Sequence, residues 1–192
     1  NVGIIRLPSI SNFSDLDPLE NEESILIEWV KESQDLDKYD FLIIPGSKQT
    51  IKDQLFLNNS GLSKRIKEYS RTNGNIFGIC GGLQILGKTL EDPFLKEDLG
   101  ENLNKSIKGI GLLPLKTIFL KNKMTRQIQT ESIWPCLSKI NGFEIHNGVT
   151  ELIKDQRELK SIFKNSKLGW YKENKNGGTI AGSYIHGIFE ND

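Results

Sequence analysis

Short, wholly apolar runs recur along the first half of the chain, and each stops at a residue that ends a strand. "VGIIRL" over 2–7 halts at Pro8, "FLII" over 41–44 at Pro45-Gly46, and "NIFGI" over 75–79 at Cys80-Gly81. Apolar runs of this length without polar alternation fit strands buried on both faces. The stretches between them read as helices. "LSKRIKEYSRTNG" puts Leu62, Ile66 and Tyr69 on one helical face and ends at Gly74. "QTIKDQLFLNNSG" suits a helix capped by Thr50, and "GGLQILGKTL" suits the helix that follows the third strand. Asp17-Pro18-x-Glu20, in the turn-rich "SNFSDLDPLE", resembles a capping box with proline at the first helical position. "SILIEWV" over 24–30 stays ambiguous: its spacing fits a helix, its isoleucine, tryptophan and valine a strand. Strand alternating with helix predicts an α/β fold, a parallel sheet covered on both faces.

The second half changes period. "GIGLLPLKTIFL", "KMTRQIQTES", "GFEIHNGVTEL", "LGWYKEN" and "GTIAGSYIHGIF" are all strand-like, and "KNGG" marks a hairpin between the last two. The expected architecture is therefore a mostly parallel sheet flanked by helices, with an antiparallel extension in the second half. No repeat or low-complexity tract divides the chain, and residues 1–192 are read as one domain.

Charge adds an exclusion. Twenty-five Lys and Arg balance 25 Asp and Glu, which argues against nucleic acid or an anionic membrane as partner. No run approaches the roughly 18 apolar residues of a membrane-spanning helix, and "NVGIIRLPSI" lacks the features of a signal peptide. A cytoplasmic setting with free thiols is expected, since Cys80 and Cys136 are the only cysteines and sit in dissimilar contexts. Met124 is the only methionine, which suggests a domain taken from a longer polypeptide.

Chemistry concentrates at "GICGG". The cysteine has glycine two residues before it and directly after it, between strand and helix, as in the G-x-S-x-G nucleophile elbow. Residues without a Cβ let backbone and substrate approach the sulfur. A helix starting just after it would aim free N–H groups at the sulfur, favouring thiolate and holding an oxyanion. An isolated cysteine is more often a small buried apolar residue; the strand–GxCxG–helix setting reverses that expectation for Cys80 and leaves it standing for Cys136. A cysteine nucleophile needs a base, and the chain has two histidines, His146 in "GFEIHNG" and His186 in "GSYIHGIF". Each follows a strand-like run and precedes a glycine-containing turn, so local pattern does not choose between them. "PGSK" after the second apolar run would lie on the same sheet edge as Cys80 and could offer further backbone donors.

Taken together, "FLIIPGSKQT", "GICGGLQILG" and "SYIHGIF" resemble the class I (triad-type) glutamine amidotransferases, with a flavodoxin-like fold. "RLPSISNFSDLDPLE", "GIGLLPLKT", "GFEIHNGVT" and "GSYIHGIFEND" place the resemblance nearest the cobyric acid synthase branch, in order along nearly the whole chain. The resemblance implies that Cys80 attacks the side-chain amide of glutamine and that His186 is its base. It implies an oxyanion hole at Gly81, Gly46 and Ser47, and a substrate contact from Gln84, for which the plain alternative is an exposed helix residue. It also favours a strand for "SILIEWV". The implied partner is an N-terminal synthetase domain of the same polypeptide, which would use ATP and Mg to amidate a corrinoid, adenosylcobyrinic acid a,c-diamide. No phosphate loop of the G-x-x-x-x-G-K-[ST] type occurs here, so no cofactor and no metal are expected in this domain.

One departure is visible. Many triad amidotransferases carry a glutamate two residues after the histidine; here that residue is Ile188. The third member is open between none, a backbone carbonyl and Glu144. Related readings share the same cysteine and histidine: a cobyrinic acid a,c-diamide synthase glutaminase, the glutaminase of a cell-wall lipid amidating pair, or a stand-alone cysteine hydrolase. A non-catalytic docking domain would not need Cys80 at all.

Overall fold

The apolar runs do become the strands of one sheet, and what they position is a single edge. The computed structural model describes residues 1–32, 35–96, 106–153 and 158–191; Asp192, which closes the "GSYIHGIFEND" block, lies outside them. In chain order the elements are β1 (Val2–Ile5), a 3-10 turn (Phe13–Leu16), α1 (Asp17–Glu20), β2 (Ile27–Val30), β3 (Phe41–Ile44), α2 (Thr50–Asn59), α3 (Leu62–Arg71), β4 (Asn75–Ile79) and α4 (Gly81–Leu86). Then follow β5 (Thr89–Glu91), β6 (Ser106–Lys108), β7 (Leu115–Ser132), β8 (Ser138–Leu152), β9 (Lys160–Ser161), β10 (Gly169–Glu173), β11 (Thr179–Ser183), β12 (Ile185–His186) and a closing 3-10 turn (Ile188–Glu190). None of the described helices is long and apolar enough to cross a membrane.

The main sheet has the order β2-β1-β3-β4-β11-β10-β9. Its first five strands run parallel, the flavodoxin-like 2-1-3-4-5 arrangement with its switch point between β1 and β3. Ile4, Ile5, Leu42, Ile43, Ile44, Ile76, Ile79 and Ile180 are all but sealed from solvent, as their unbroken apolar runs require. The expected antiparallel extension is present but divided. β10 and β9 add antiparallel to the main sheet, whereas β12-β8-β7-β5-β6 forms a second sheet. β11 comes back into the main sheet parallel to β4, with Ile180 opposite Ile76 and Ser183 opposite Ile79. That pairing joins segments about a hundred residues apart, which local pattern does not encode.

Several local expectations need correction. Asp17 is the first residue of α1 rather than its cap, and no side chain caps that single turn. Gln49, not Thr50, stands at the α2 N-cap; the Thr50 hydroxyl turns to Gln84 instead. α4 ends at Leu86, and Thr89–Glu91 becomes a strand rather than more helix. "GIGLLPLKTIFL" and "KMTRQIQTES" merge into the one long strand β7, which keeps its pairing with β8 through a register shift between Ile118 and Lys123. "SILIEWV" supplies β2, and "KNGG" forms the β10–β11 hairpin with Gly177 at φ 100°.

Glycine sets the depth at which α4 rests on the sheet. A Cβ on Gly82 would come to 2.0 Å from the Ile44 carbonyl oxygen, and one on Gly78 to 2.6 Å from the Gly82 backbone. Gly182, beside Gly78 in the register, would meet Leu83 at 2.8 Å. With backbone on both sides of the contact, no rotamer change relieves the clash. Gly82→Ala is therefore expected to destabilise the fold by about 1–3 kcal/mol, lowering Tm by about 2–10 °C in a chain of this size. Gly111→Ala is the control: its φ of 79° costs about 1 kcal/mol of backbone strain, but nothing lies within 4 Å of the new methyl. Thermal denaturation of the two variants compares a steric cost with a conformational one.

Candidate active site

Four consecutive neighbours in the parallel sheet send their carboxyl ends to one edge. β1 leads into the loop bearing Asn12 and Asp15, β3 into Gly46-Ser47, β4 into Cys80, and β11 through Ser183-Tyr184 to His186. The loops after β1 and β3 are laced together. Ile10 bridges Ser47, Ser11 N–H donates to the Gly46 carbonyl at 2.9 Å, and Lys48 N–H to that of Ser9 at 2.8 Å. β8 lies across this edge, since β12 pairs with it so that His186 faces Phe143 and Ile185 faces Glu144.

Cys80 occupies the elbow that its flanking glycines announce. Its φ of 50° and ψ of −103° are a conformation that L residues seldom adopt, and its N–H donates to the Ser183 carbonyl at 2.7 Å. The thiol donates to the Ile145 carbonyl, Sγ to O 3.3 Å. His186, 1% exposed, feels this thiol and places Nδ1 2.6 Å from Asp15 Oδ2. The Asn12 carboxamide lies 3.0 Å from the same nitrogen, and Phe143 stacks on the ring with centroids 5.2 Å apart. Asp15 is itself fixed, because its second oxygen accepts the Gly187 N–H at 2.9 Å. Burial alone would lower the imidazole pKa. The hydrogen bonds to Asp15 and then Cys80 more than reverse this, raising it to about 10.

Asp15 and Asn12 are the residues that sequence reasoning missed, and Asp15 corrects the expectation about Glu144. Glu144 serves the other histidine: Oε1 accepts from His146 Nε2 at 2.7 Å and Oε2 from Arg126 Nε at 2.6 Å. Burial pushes the Glu144 carboxyl up, but these two hydrogen bonds outweigh it and hold it below the usual carboxylate range. The signal for Asp15 lay in "SNFSD". Asn12 takes the left-handed conformation, φ 48°, that asparagine tolerates well, and this tight turn presents Asp15 to the site.

The other expected site residues gather here too. A Cβ on Gly81 would sit 2.7 Å from Ser47 N, so the amide of Ser47 and the start of α4 are in contact beside Cys80. Gly46 backs onto His186, where a Cβ would be 3.4 Å from Cε1. The Ser47 hydroxyl is held by Asp53 at 2.5 Å, whose carboxyl pKa burial raises against the pull of its Ser47 and Ser9 contacts. Gln84 is buried rather than an exposed helix residue. Its Oε1 accepts from Thr50 at 3.2 Å, and Nε2 donates to the Asn147 carbonyl at 3.0 Å and the Tyr184 hydroxyl at 3.3 Å. Beyond Tyr184 the hydroxyls of Thr150 and Thr117 continue the chain. A cavity of about 200 Å³ opens onto Cys80, Gln84, Asn12, Ser47 and His146, with the exposed Lys48 and Lys123 at its rim. Cys136 is an exposed free thiol elsewhere. Among the described residues no group of three or more His, Cys, Asp or Glu side chains stands together as a metal site.

Comparison with known proteins bears on the family and the fold. A family model described as a CobB/CobQ-like glutamine amidotransferase domain matches residues 1–192. A cobyric acid synthase of Prochlorococcus marinus strain MIT 9515 is 72% identical over 194 residues, covering all of this chain and 38% of the relative. One from strain NATL2A is 52% identical over 192 residues, again across 38% of its length. The chain thus spans a little over a third of these curated relatives. A crystal structure of a glutamine amidotransferase superposes with a TM-score of 0.68 at 15% identity, covering 97% of this chain and 90% of the other. PurLQS from Thermotoga maritima gives 0.68 at 16% identity, covering 96% and 86%. These distant matches speak for the fold.

The raised His186 pKa has a consequence for stability. Between the ordinary histidine value of about 6.5 and about 10, the folded protein holds a proton at His186 that the unfolded chain has released. Its contribution to stability is therefore complete below about pH 6.5 and lost as pH rises through about 10. Asp15→Asn keeps an acceptor for Gly187 N–H but removes the charge. The stability gap between wild type and this variant should be widest near pH 6 and narrow by pH 10, measured by urea unfolding across that range.

Proposed function

The chain belongs to the family of CobB/CobQ-like glutamine amidotransferase domains, and from that premise we propose that it is the glutaminase domain of a cobyric acid synthase. In this reading glutamine enters the cavity with its side-chain amide at Cys80. With His186 held in its charged form, the Cys80 sulfur attacks the amide carbon as the thiolate, and a tetrahedral oxyanion forms. The backbone N–H groups of Gly81 and of the Gly46-Ser47 turn stabilise it. His186 then hands its proton to the departing nitrogen, the C–N bond breaks, and ammonia leaves behind a glutamyl thioester. A water molecule, deprotonated by His186, cleaves that thioester, releasing glutamate and restoring the sulfur beside the charged imidazole. Asp15 keeps the imidazole oriented and supports its charged form, while Gln84, locked by Thr50, Asn147 and Tyr184, walls the substrate.

The observation that carries this reading is the buried His186–Asp15 pair behind Cys80, which itself opens onto a small cavity. At about 200 Å³ that cavity suits an amino acid and falls short of the roughly 300–1,000 Å³ that drug-sized ligands occupy. A corrinoid or a nucleotide would therefore bind elsewhere. The greater length of the relatives fits an ATP- and Mg-dependent synthetase in the same polypeptide, which would use the ammonia to amidate adenosylcobyrinic acid a,c-diamide in the cytoplasm. Cobyric acid synthase, rather than a sister amidotransferase, is favoured by the 72% identity to proteins of that name.

In the full chain, Cys80→Ser is expected to abolish ammonia release from glutamine with an unchanged circular dichroism spectrum; release at the wild-type rate would remove the mechanism. His186→Ala should be equally inactive. Asp15→Asn should lower kcat by about 10²–10⁴-fold with little change in KM, because it misorients the base without touching substrate. Steady-state kinetics with coupled glutamate detection separates the two effects.

A further inference from the structure

His146 borders the cavity yet has no part in the Cys80 relay. Its Nε2 donates to Glu144 at 2.7 Å, and one ring face stacks on Tyr184 with centroids 3.9 Å apart. Nδ1, by contrast, is buried and has no hydrogen-bond partner among the described residues. The side chain is 8% exposed. A buried polar atom without a partner costs free energy in the empty protein, so an unpaired nitrogen on a ring that borders the cavity points to a ligand's polar group.

The chemistry of that group follows from the hydrogen bonds behind it. Arg126 and His146 share the Glu144 carboxylate, one on each oxygen. A carboxylate only accepts, so the proton of the neutral ring is on Nε2 and Nδ1 offers a lone pair. The ligand atom must therefore be a donor, and the carboxylate behind the ring favours a cationic one. Free glutamine carries two kinds of donor. Its amide nitrogen has to lie by Cys80 and His186, which leaves the α-ammonium. Lys48 and Lys123 at the rim are the cations that would meet the α-carboxylate.

We propose that His146 Nδ1 accepts a hydrogen bond from the α-ammonium group of the substrate, so that the Glu144–His146 pair selects a free amino acid over one whose amino group is missing or acylated. This rests on the glutaminase reading and extends it to a specificity residue. Glu144 is the positioning residue that sets the tautomer.

The test compares ammonia release by the full chain from L-glutamine and from 5-amino-5-oxopentanoate, which is glutamine without its amino group. Wild type should favour glutamine by about ten- to a hundredfold in kcat/KM, the worth of a hydrogen bond to a charged group. His146→Phe keeps a ring to stack on Tyr184 but has no acceptor; His146→Ala removes both. In whichever variant retains the wild-type circular dichroism spectrum, kcat/KM for glutamine should fall to the level of the analogue, chiefly through KM. A preference that survives in the folded variant, or two substrates that decline in parallel, overturns the assignment. Ammonia from glutamine with an unaltered preference sinks this inference alone, whereas a wild-type protein that releases none from either compound sinks the glutaminase reading with it.

Discussion

The site depends on one hydrogen bond, from the Cys80 amide to the Ser183 carbonyl at 2.7 Å. It closes the parallel pairing of β4 with β11 at the point where both strands leave the sheet. The strand ends then diverge, one turning into α4 with the sulfur at its start, the other reaching His186 three residues later. Shifting the register by one residue would reverse every side chain on β11 and carry the imidazole off the edge. The glycines at 78, 82 and 182 serve the same constraint, since they let α4 lie on the two strands closely enough for the elbow to form.

Around that bond the molecule holds two kinds of histidine environment, one of them on the wall of the cavity. His186 pairs through Nδ1 with an acid and feels the Cys80 thiol. His146 sits between an acid and Tyr184, its second nitrogen buried and without a partner among the described residues. The two carboxylates differ as well. Asp15 divides its oxygens between an imidazole and a backbone amide, and Glu144 between an imidazole and a guanidinium. Neither is left as an uncompensated buried charge, which would be costly in an interior of low polarity.

What could be read from sequence follows the range of the interactions. Cys80 announced itself because the elbow is local: the strand, the two glycines and the helix start lie within a dozen residues. The parallel core was readable for the same reason, through apolar runs and their stops. His146 and His186 could not be told apart by pattern, because both follow strands and precede glycine-containing turns; the resemblance to amidotransferases selected His186, the histidine that is paired with Asp15. Asp15 stayed hidden for two reasons. It lies 171 residues from its partner, and its neighbours Asp17 and Glu20 read as a helix cap, which drew the acidic signal of that loop elsewhere. Thr50 misled similarly: a threonine at a helix start is usually a cap, but here the buried Gln84 makes the stronger claim on its hydroxyl. The return of β11 to the main sheet, and the gathering of β12 and β5 to β8 into a second one, are non-local pairings with no short-range mark.

The span from Asp15 to His186 also sets an order of events. During synthesis the loop that holds the acid is made first of the three, the cysteine next and the imidazole last. A growing chain therefore carries its sulfur long before any group exists to take the proton from it. On the proposed reading, reactivity is a late, all-at-once property of the closed fold.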